Sequence, residues 1–263
     1  MKAMISVGRG GFNRFVRLGR ALLLAIPLAG TIAPAFAGVT PEVSRVIVHA
    51  KENETSVQLF NLNDYPVLVQ AWVDDGAIDS VPQDAKAPII ALPPIFRMNR
   101  GEQTSLRLLN TGMPLPADRE SLFWLNLYEI PATRANEAPD AQQVTVMMRT
   151  QLKVFVRPDG LREQADALPG RLEFSAHGTD RLRLDIYNPT PYHATFGKIH
   201  AKLAGADEAL PVEMLAPLSR TSVVFDKLHG VPGDDVEIAF ALIDDDGNPV
   251  GGERRLKLAA AGQ

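Results

Sequence analysis

From residue 39 onward, apolar and polar residues alternate in short runs instead of recurring every third or fourth position. The runs at 43–48, 56–60, 67–73, 104–109, 122–128 and 144–156 are rich in β-branched and aromatic residues. Turn-forming sequences separate them, including Asn63-Asp64, Asp74-Asp75-Gly76, Pro93-Pro94, Asn99-Arg100-Gly101 and Asn110-Thr111-Gly112. A two-residue period bounded by such punctuation predicts strands. No intervening stretch carries a 3.6-residue apolar period, so helices are expected to be single turns at most.

Punctuation thickens at Arg157-Pro158-Asp159-Gly160, and 161–170 is polar, without alternation. A second series follows at 171–174, 182–187, 194–199, 211–215, 221–225, 236–243 and 255–258. The pattern predicts an all-β chain of two β-sandwich domains, 38–158 and 171–263, joined by a linker at 159–170. Trp72 and Trp124 fall in the first domain and are expected to be core aromatics.

Composition changes this picture at the start of the chain. Residues 1–37 hold Lys2, Arg9, Arg14, Arg17 and Arg20 and no acid, then the apolar run 21–29 and a small-residue end at Ala35-Phe36-Ala37. That is the layout of a secretory signal peptide, with cleavage expected between Ala37 and Gly38. Removing these residues takes five basic side chains and leaves 226 residues of net charge −9. No later run has the roughly 18 consecutive apolar residues of a membrane helix, so the mature chain is expected not to insert in a membrane. An acidic balance gives no support for nucleic-acid binding.

Catalytic chemistry finds little footing. There is no cysteine, which removes disulfides, thiolate metal sites and thiol nucleophiles. His49, His177, His193, His200 and His229 are scattered without ligand spacing, and Gly-x-Ser-x-Gly, phosphate-loop and His-Glu-x-x-His patterns are missing. The acidic run Asp244-Asp245-Asp246-Gly247-Asn248 lacks the alternating ligands of a calcium loop and reads as a hairpin turn. The expectation is no enzymatic activity, no cofactor and no metal.

Binding offers more. The run 144–156 is about twice the usual strand length, and alternation puts Val144, Val146 and Met148 on one face. It is either an exposed apolar edge kept for a partner strand or an ordinary central strand with that face in the core. Arg45 and Lys153 interrupt apolar runs, and alternation by itself leaves open whether they face solvent or a ligand.

The segment DRESLFWLNLYEIP at 118–131 closely resembles the signature of periplasmic pilus-assembly chaperones of the chaperone–usher pathway. PVLVQAWV at 66–73, ALPPIFR at 91–97, TQLKVFVRP at 150–158 and NPTPY at 188–192 agree in the same order. The resemblance implies two immunoglobulin-like domains in an L- or boomerang-shaped arrangement, with no catalytic activity. It implies periplasmic work on pilus subunits, which lack a final strand, and delivery to an outer-membrane usher; a dimer that caps the free edge is compatible with it. Val144, Val146 and Met148 fall on the lent strand, each side chain worth about 1.5–3 kcal/mol when buried. Arg45 and Lys153 fall on the two cations that hold the carboxylate at the pilus subunit's C-terminus. Because strict alternation sets Lys153 opposite the three apolar residues, a bulge or strong twist is expected between them. Glu120, Arg157 and Asp244, or its neighbour Asp245, fall on an interdomain ion-pair set. The short stretch 132–143 resembles that of chaperones for rod-like pili.

Two rivals remain at this level. A secreted two-domain adhesin or ligand-binding module would share the fold but need an apolar or aromatic pocket in place of a cationic cleft. An exported hydrolase would need a nucleophile–base pair that the sequence does not offer.

Overall fold

The computed structural model describes residues 38–132, 146–178 and 180–260. Residues 1–37, Val144 and nearly all of the 132–143 stretch, on which expectations above fall, lie outside them. Sixteen strands make up almost all regular structure among the described residues.

The first sandwich packs a four-stranded layer, in the order β1 (Val39–Pro41), β3 (Glu54–Asn61), β7 (Gln103–Asn110), β5 (Ile89–Leu92), on a five-stranded one. The second layer runs β2 (Arg45–His49), β9 (Met148–Arg157), β8 (Ser121–Pro131), β4 (Val67–Asp74), β6 (Ile95–Met98). Alternation builds the core: Val67, Val69, Ala71 and Val73 of β4, Leu125 and Leu127 of β8, and Leu152, Val154 and Val156 of β9 meet Val57, Leu59, Leu106 and Leu108 across the interface. Pro93-Pro94 breaks the chain between β5 and β6, which pair in different layers, β5 with β7 and β6 with β4. These two strands and β1 are three to four residues each, too short to show a period in the sequence.

Trp72 and Trp124 are not in this core. Both occupy the other parity of their strands, where Ala71, Val73 and Leu125 already fill the inner face. Trp72 is buried on the outer face, its Nε1 donating to Asp74 Oδ2 at 3.0 Å beneath the Arg149 guanidinium.

The second sandwich surrounds its own core of Leu182, Leu184, Ile186, Ile199, Leu203, Phe225, Ile238, Phe240 and Leu258. One layer is β10 (Glu173–His177), β11 (Leu182–Asn188) and β14 (Ser219–Phe225); the other is β13 (Ala206–Pro211), β12 (Phe196–Leu203), β15 (Asp235–Ile243) and β16 (Pro249–Ala259). A two-residue parallel pairing of Ala176 and His177 with Leu258 and Ala259 joins the layers at one corner. The strand expected at 211–215 is displaced to β13, because Ala204 and Gly205, at φ 51° and 85°, make a two-residue turn that pairs Leu203 with Ala206. Alanine at a left-handed position carries no hairpin signal, so the sequence does not announce this turn.

The two domains close their loops alike. Asn61 Nδ2 donates to the Tyr65 carbonyl at 3.0 Å and Asn188 Nδ2 to the Tyr192 carbonyl at 2.7 Å, both from buried asparagines four residues upstream. The connecting segment is anchored as well. A 3₁₀ turn (Ala165–Ala167) leads into one helical turn, α1 (Leu168–Arg171), whose Leu168 is buried in the second core, while Tyr192 Oη donates to the Glu163 carbonyl at 2.7 Å.

Arg157, at the end of β9, bridges the domains. Its Nε donates to Glu120 Oε1 at 2.8 Å, and its Nη1 and Nη2 donate to the Asp245 carboxylate at 2.7 and 2.9 Å. Desolvation opposes the Arg157 charge, but the Asp245 and Glu120 bonds outweigh it and raise its pKa. The second-domain partner is therefore Asp245, and not Asp244. Asp244 is occupied by the β15–β16 turn, where its Oδ1 accepts from Asn248 N at 2.7 Å. The turn expected from the acidic run is present, with Gly247 at φ 87° pressed on Ser44 of the first domain.

Ala204→Gly relieves the left-handed alanine and should raise stability by about 0.5–1 kcal/mol in urea unfolding. Asp245→Asn should cost about 0.5–1.5 kcal/mol and uncouple the domain orientations in residual dipolar couplings, whereas Asp244→Asn should leave the orientations coupled.

Candidate interdomain cationic cleft

Strand β9 changes neighbours along its length. It pairs antiparallel with β8 from Met148 to Val156, but β2 pairs with it, in parallel, only from Lys153 to Arg157. Among the described residues, Met148 to Leu152 therefore have an unpaired edge. Val146, Met147 and Met148 are 66%, 50% and 45% exposed at this end, an unusual cluster of bare apolar side chains. The β8 register is unbroken, so the bulge expected between Met148 and Lys153 is absent. None is needed: even-numbered residues from 152 onward enter the core, and the same face carries Met148 beyond it.

The odd-numbered face does something different. Lys153 and Arg45 are register partners in the parallel β2–β9 ladder, which sets the two cations side by side on the outer face. The Lys153 ammonium lies 5.7 Å from the Trp124 ring, and the Arg45 guanidinium 5.9 Å from the Phe155 ring. Arg45 Nη1 donates to the Ile243 carbonyl of the second domain at 2.8 Å, and its buried Nε has no protein partner among the described residues.

No described carboxylate forms an ion pair with either cation. Burial lowers the Lys153 pKa, and the Arg45 charge lowers it further. Burial also lowers that of Arg45, opposed at longer range by Asp245, Asp244 and Glu120. Two desolvated like charges without a counter-ion make a site that gains from an anion.

A cavity of about 280 Å³ adjoins Arg45 between the domains, lined by Phe155, Glu120, Arg157, Tyr192 and His193 among others. Glu120 is buried and saturated: besides Arg157 it accepts the His193 N–H at 2.9 Å and faces His193 Nδ1 at 3.3 Å. The Arg157 guanidinium lies 4.9 Å from the Tyr192 ring centroid. The cleft is thus split into a closed ion-pair bolt and an open cationic pair.

The candidate residues divide accordingly. Arg45 and Lys153 come together; Glu120 and Arg157 pair in the bolt; Asp244 does not join it. Met148 lies at the open edge, on the face opposite the cations, with exposed Val146 just before the strand. Trp124, Phe155, His193 and Asp245 also build the site. Phe155 is legible in principle, since 153, 155 and 157 share parity on one strand; His193 becomes part of the site only through the approach of the second domain.

The chain matches two family models: the N-terminal domain of the PapD pili and flagellar-assembly chaperone over residues 38–162, and the C-terminal domain of the PapD pili assembly chaperone over 167–254. Chaperone protein FimB/FhaD of Bordetella pertussis is 35% identical over 88% of this chain and 93% of its own length. The probable fimbrial chaperone YadV of Escherichia coli is 32% identical over 81% and 87%. Among solved structures, the YadV chaperone matches with a TM-score of 0.69 at 30% identity, covering 83% of this chain and 99% of that one. A chain of the Salmonella enterica SafA pilin–SafB chaperone complex matches with a TM-score of 0.66 at 26% identity, over 85% and 97%. With both domains of the family present in order and relatives named as chaperones across most of its length, the chain belongs to the chaperone–usher family of fimbrial and pilus assembly chaperones, a non-enzymatic class.

Proposed function

We propose that this chaperone binds pilus subunits in the periplasm by strand donation and passes them to an outer-membrane usher. The observation that carries the reading is the change of neighbour along β9, an unpaired apolar edge running directly into a desolvated pair of cations. Val144, Val146 and Met148 would fill the open sandwich of the pilin, with main-chain hydrogen bonds along the edge. Arg45 and Lys153 would hold the carboxylate at the pilin's C-terminus through charge-assisted hydrogen bonds. Holding that terminus sets which pilin residue faces which β9 residue, and a one-residue slip would turn every apolar side chain out of its pocket. A complex of SafA pilin with the SafB chaperone among the similar structures supports a pilin as the partner.

Glu120, Arg157 and Asp245 orient the domains and leave the open pair free for the ligand. The leader read at 1–37 supports export, and membership of the family supports delivery to an usher. The cavity beside Arg45 mixes charged residues with Phe155, Leu168, Tyr192 and Leu242, so what favours the chaperone reading over an adhesin is the cation pair beside the open edge.

Arg45→Ala and Lys153→Ala should each remain folded and lower the yield of the chaperone–pilin complex by about 10- to 100-fold, measured by co-purification from cells making both proteins. Undiminished recovery with both variants removes the anchoring role. Carboxylate binding raises the Lys153 pKa from its lowered free value, so it is linked to the charged form. Affinity should be full below that free pKa and fall as pH rises through it, at a pH below the ordinary 10.5 of lysine. Lys153→Met should flatten this pH dependence in a titration with a peptide copying the pilin's C-terminus, and should stabilise the free protein by up to about 1 kcal/mol by removing a desolvated charge.

A further inference from the structure

Strand β1 begins in a closed corner. Gly38 is buried, its N–H donates to Asn63 Oδ1 at 2.9 Å, and its carbonyl accepts from Leu62 N at 3.0 Å. Next to it lies Glu129 of β8, only 5% exposed. Glu129 Oε1 accepts the Val39 N–H at 2.7 Å and Oε2 accepts Asn63 Nδ2 at 3.3 Å. Asn63 is itself held, its Nδ2 also donating to Asn61 Oδ1 at 2.9 Å.

What sets Glu129 apart is charge. The other buried carboxylates have cations: Glu120 meets Arg157 at 2.7 Å and Asp74 meets Arg149 at 3.4 Å. Among the described residues no Lys, Arg or His reaches Glu129. A buried carboxylate with neutral donors and no counter-charge is costly. The backbone of Gly38 is pressed against it. A Cβ there would lie 3.2 Å from Glu129 Oε1 and 3.4 Å from Met148 Cε, and φ is +105°, so only glycine fits without strain.

We propose that the missing cation is the chain's own processed N-terminus: removal of residues 1–37 converts the Gly38 N–H into an α-ammonium that pairs with buried Glu129. Hydrolysis adds water across the Ala37–Gly38 peptide bond, so Ala37 leaves with a carboxylate and Gly38 gains an amine, which is mostly protonated at neutral pH. The ammonium keeps the bond to Asn63 Oδ1 and has further N–H donors for the carboxylate. Because Met148 is the register partner of Glu129, and a Cβ on Gly38 would come within 3.4 Å of Met148 Cε, processing completes the corner where the proposed donor strand begins. The inference rests on reading 1–37 as a leader.

The test separates that reading from the ion pair. The full chain is exported with its own leader and the mass of the mature protein is measured. A start at Gly38 is expected, and any other start overturns the leader reading and the proposal with it. Protein beginning at Gly38 is then compared in urea at neutral pH with protein that retains Ala37. The unfolding constant should be about tenfold or more larger when Ala37 is retained, and Glu129→Gln should reduce that gap to less than about twofold. Equal stabilities, or a gap that Glu129→Gln leaves intact, overturn the ion pair while the leader reading stands. Selective Nα-acetylation of the mature protein makes the comparison without altering Glu129. It should weaken the Gly38-starting protein as retention of Ala37 does, and an unchanged urea midpoint overturns the pair.

Discussion

One strand with two kinds of surroundings organises this molecule. Over Lys153 to Val156, β9 is a central strand, hydrogen-bonded to β2 and β8 and immobilised by both. Over Met148 to Leu152 it has only β8, because β2 starts at Arg45. The rigid half fixes the cations, the core residues Val154 and Val156, and the ion-pair residue Arg157. The open half inherits that rigidity through a continuous register with β8, so its backbone groups are held extended without a second partner. An edge this apolar would normally be a hazard; under the proposed function it is the working surface.

Charge is arranged around the same strand. Arg157 takes two carboxylates, one from each domain, and these bonds overcome its desolvation. Arg45 and Lys153, register partners with no described acid bonded to either, keep their pKa values lowered by burial. The acidic chain supplies many carboxylates, and the fold places them elsewhere, in the bolt, the hairpin turn and the outer-face network of Asp74 with Trp72, Asn126 and Arg149. Under the proposed function, this desolvated cation pair is a pre-formed site for the pilin's carboxylate, its ligand chemistry stated by its sign.

Much of this is legible in the residues. The long strands carry their alternation openly, since each has one face in a core, and the two-domain division shows as a gap in alternation. Short strands such as β5 and β6 carry none, and the tryptophans mislead because hydrophobicity alone does not say which face of a strand is the inner one. The turn at Ala204-Gly205 lacks its usual residue chemistry, which hides β13. Resemblance supplies Arg45 and Lys153 as a pair; alternation cannot, for they are more than a hundred residues apart and meet only in the parallel ladder.

The chain's own sequence determined local matters: extended backbone where β-branched residues alternate, turns where Asp, Asn and Gly collect, and a basic, then apolar, start. These depend on neighbours a few positions away. Tertiary structure decided what depends on distant partners: the open half of β9, the choice of Asp245 over Asp244, the outward side of Trp72 and Trp124, and the burial of Glu129 beside Gly38 where no described cation reaches it. The physical reason is that strand register and burial are set by pairing across the whole chain, and a side chain's charge acquires its meaning only when the fold determines whether water or another charge stands next to it.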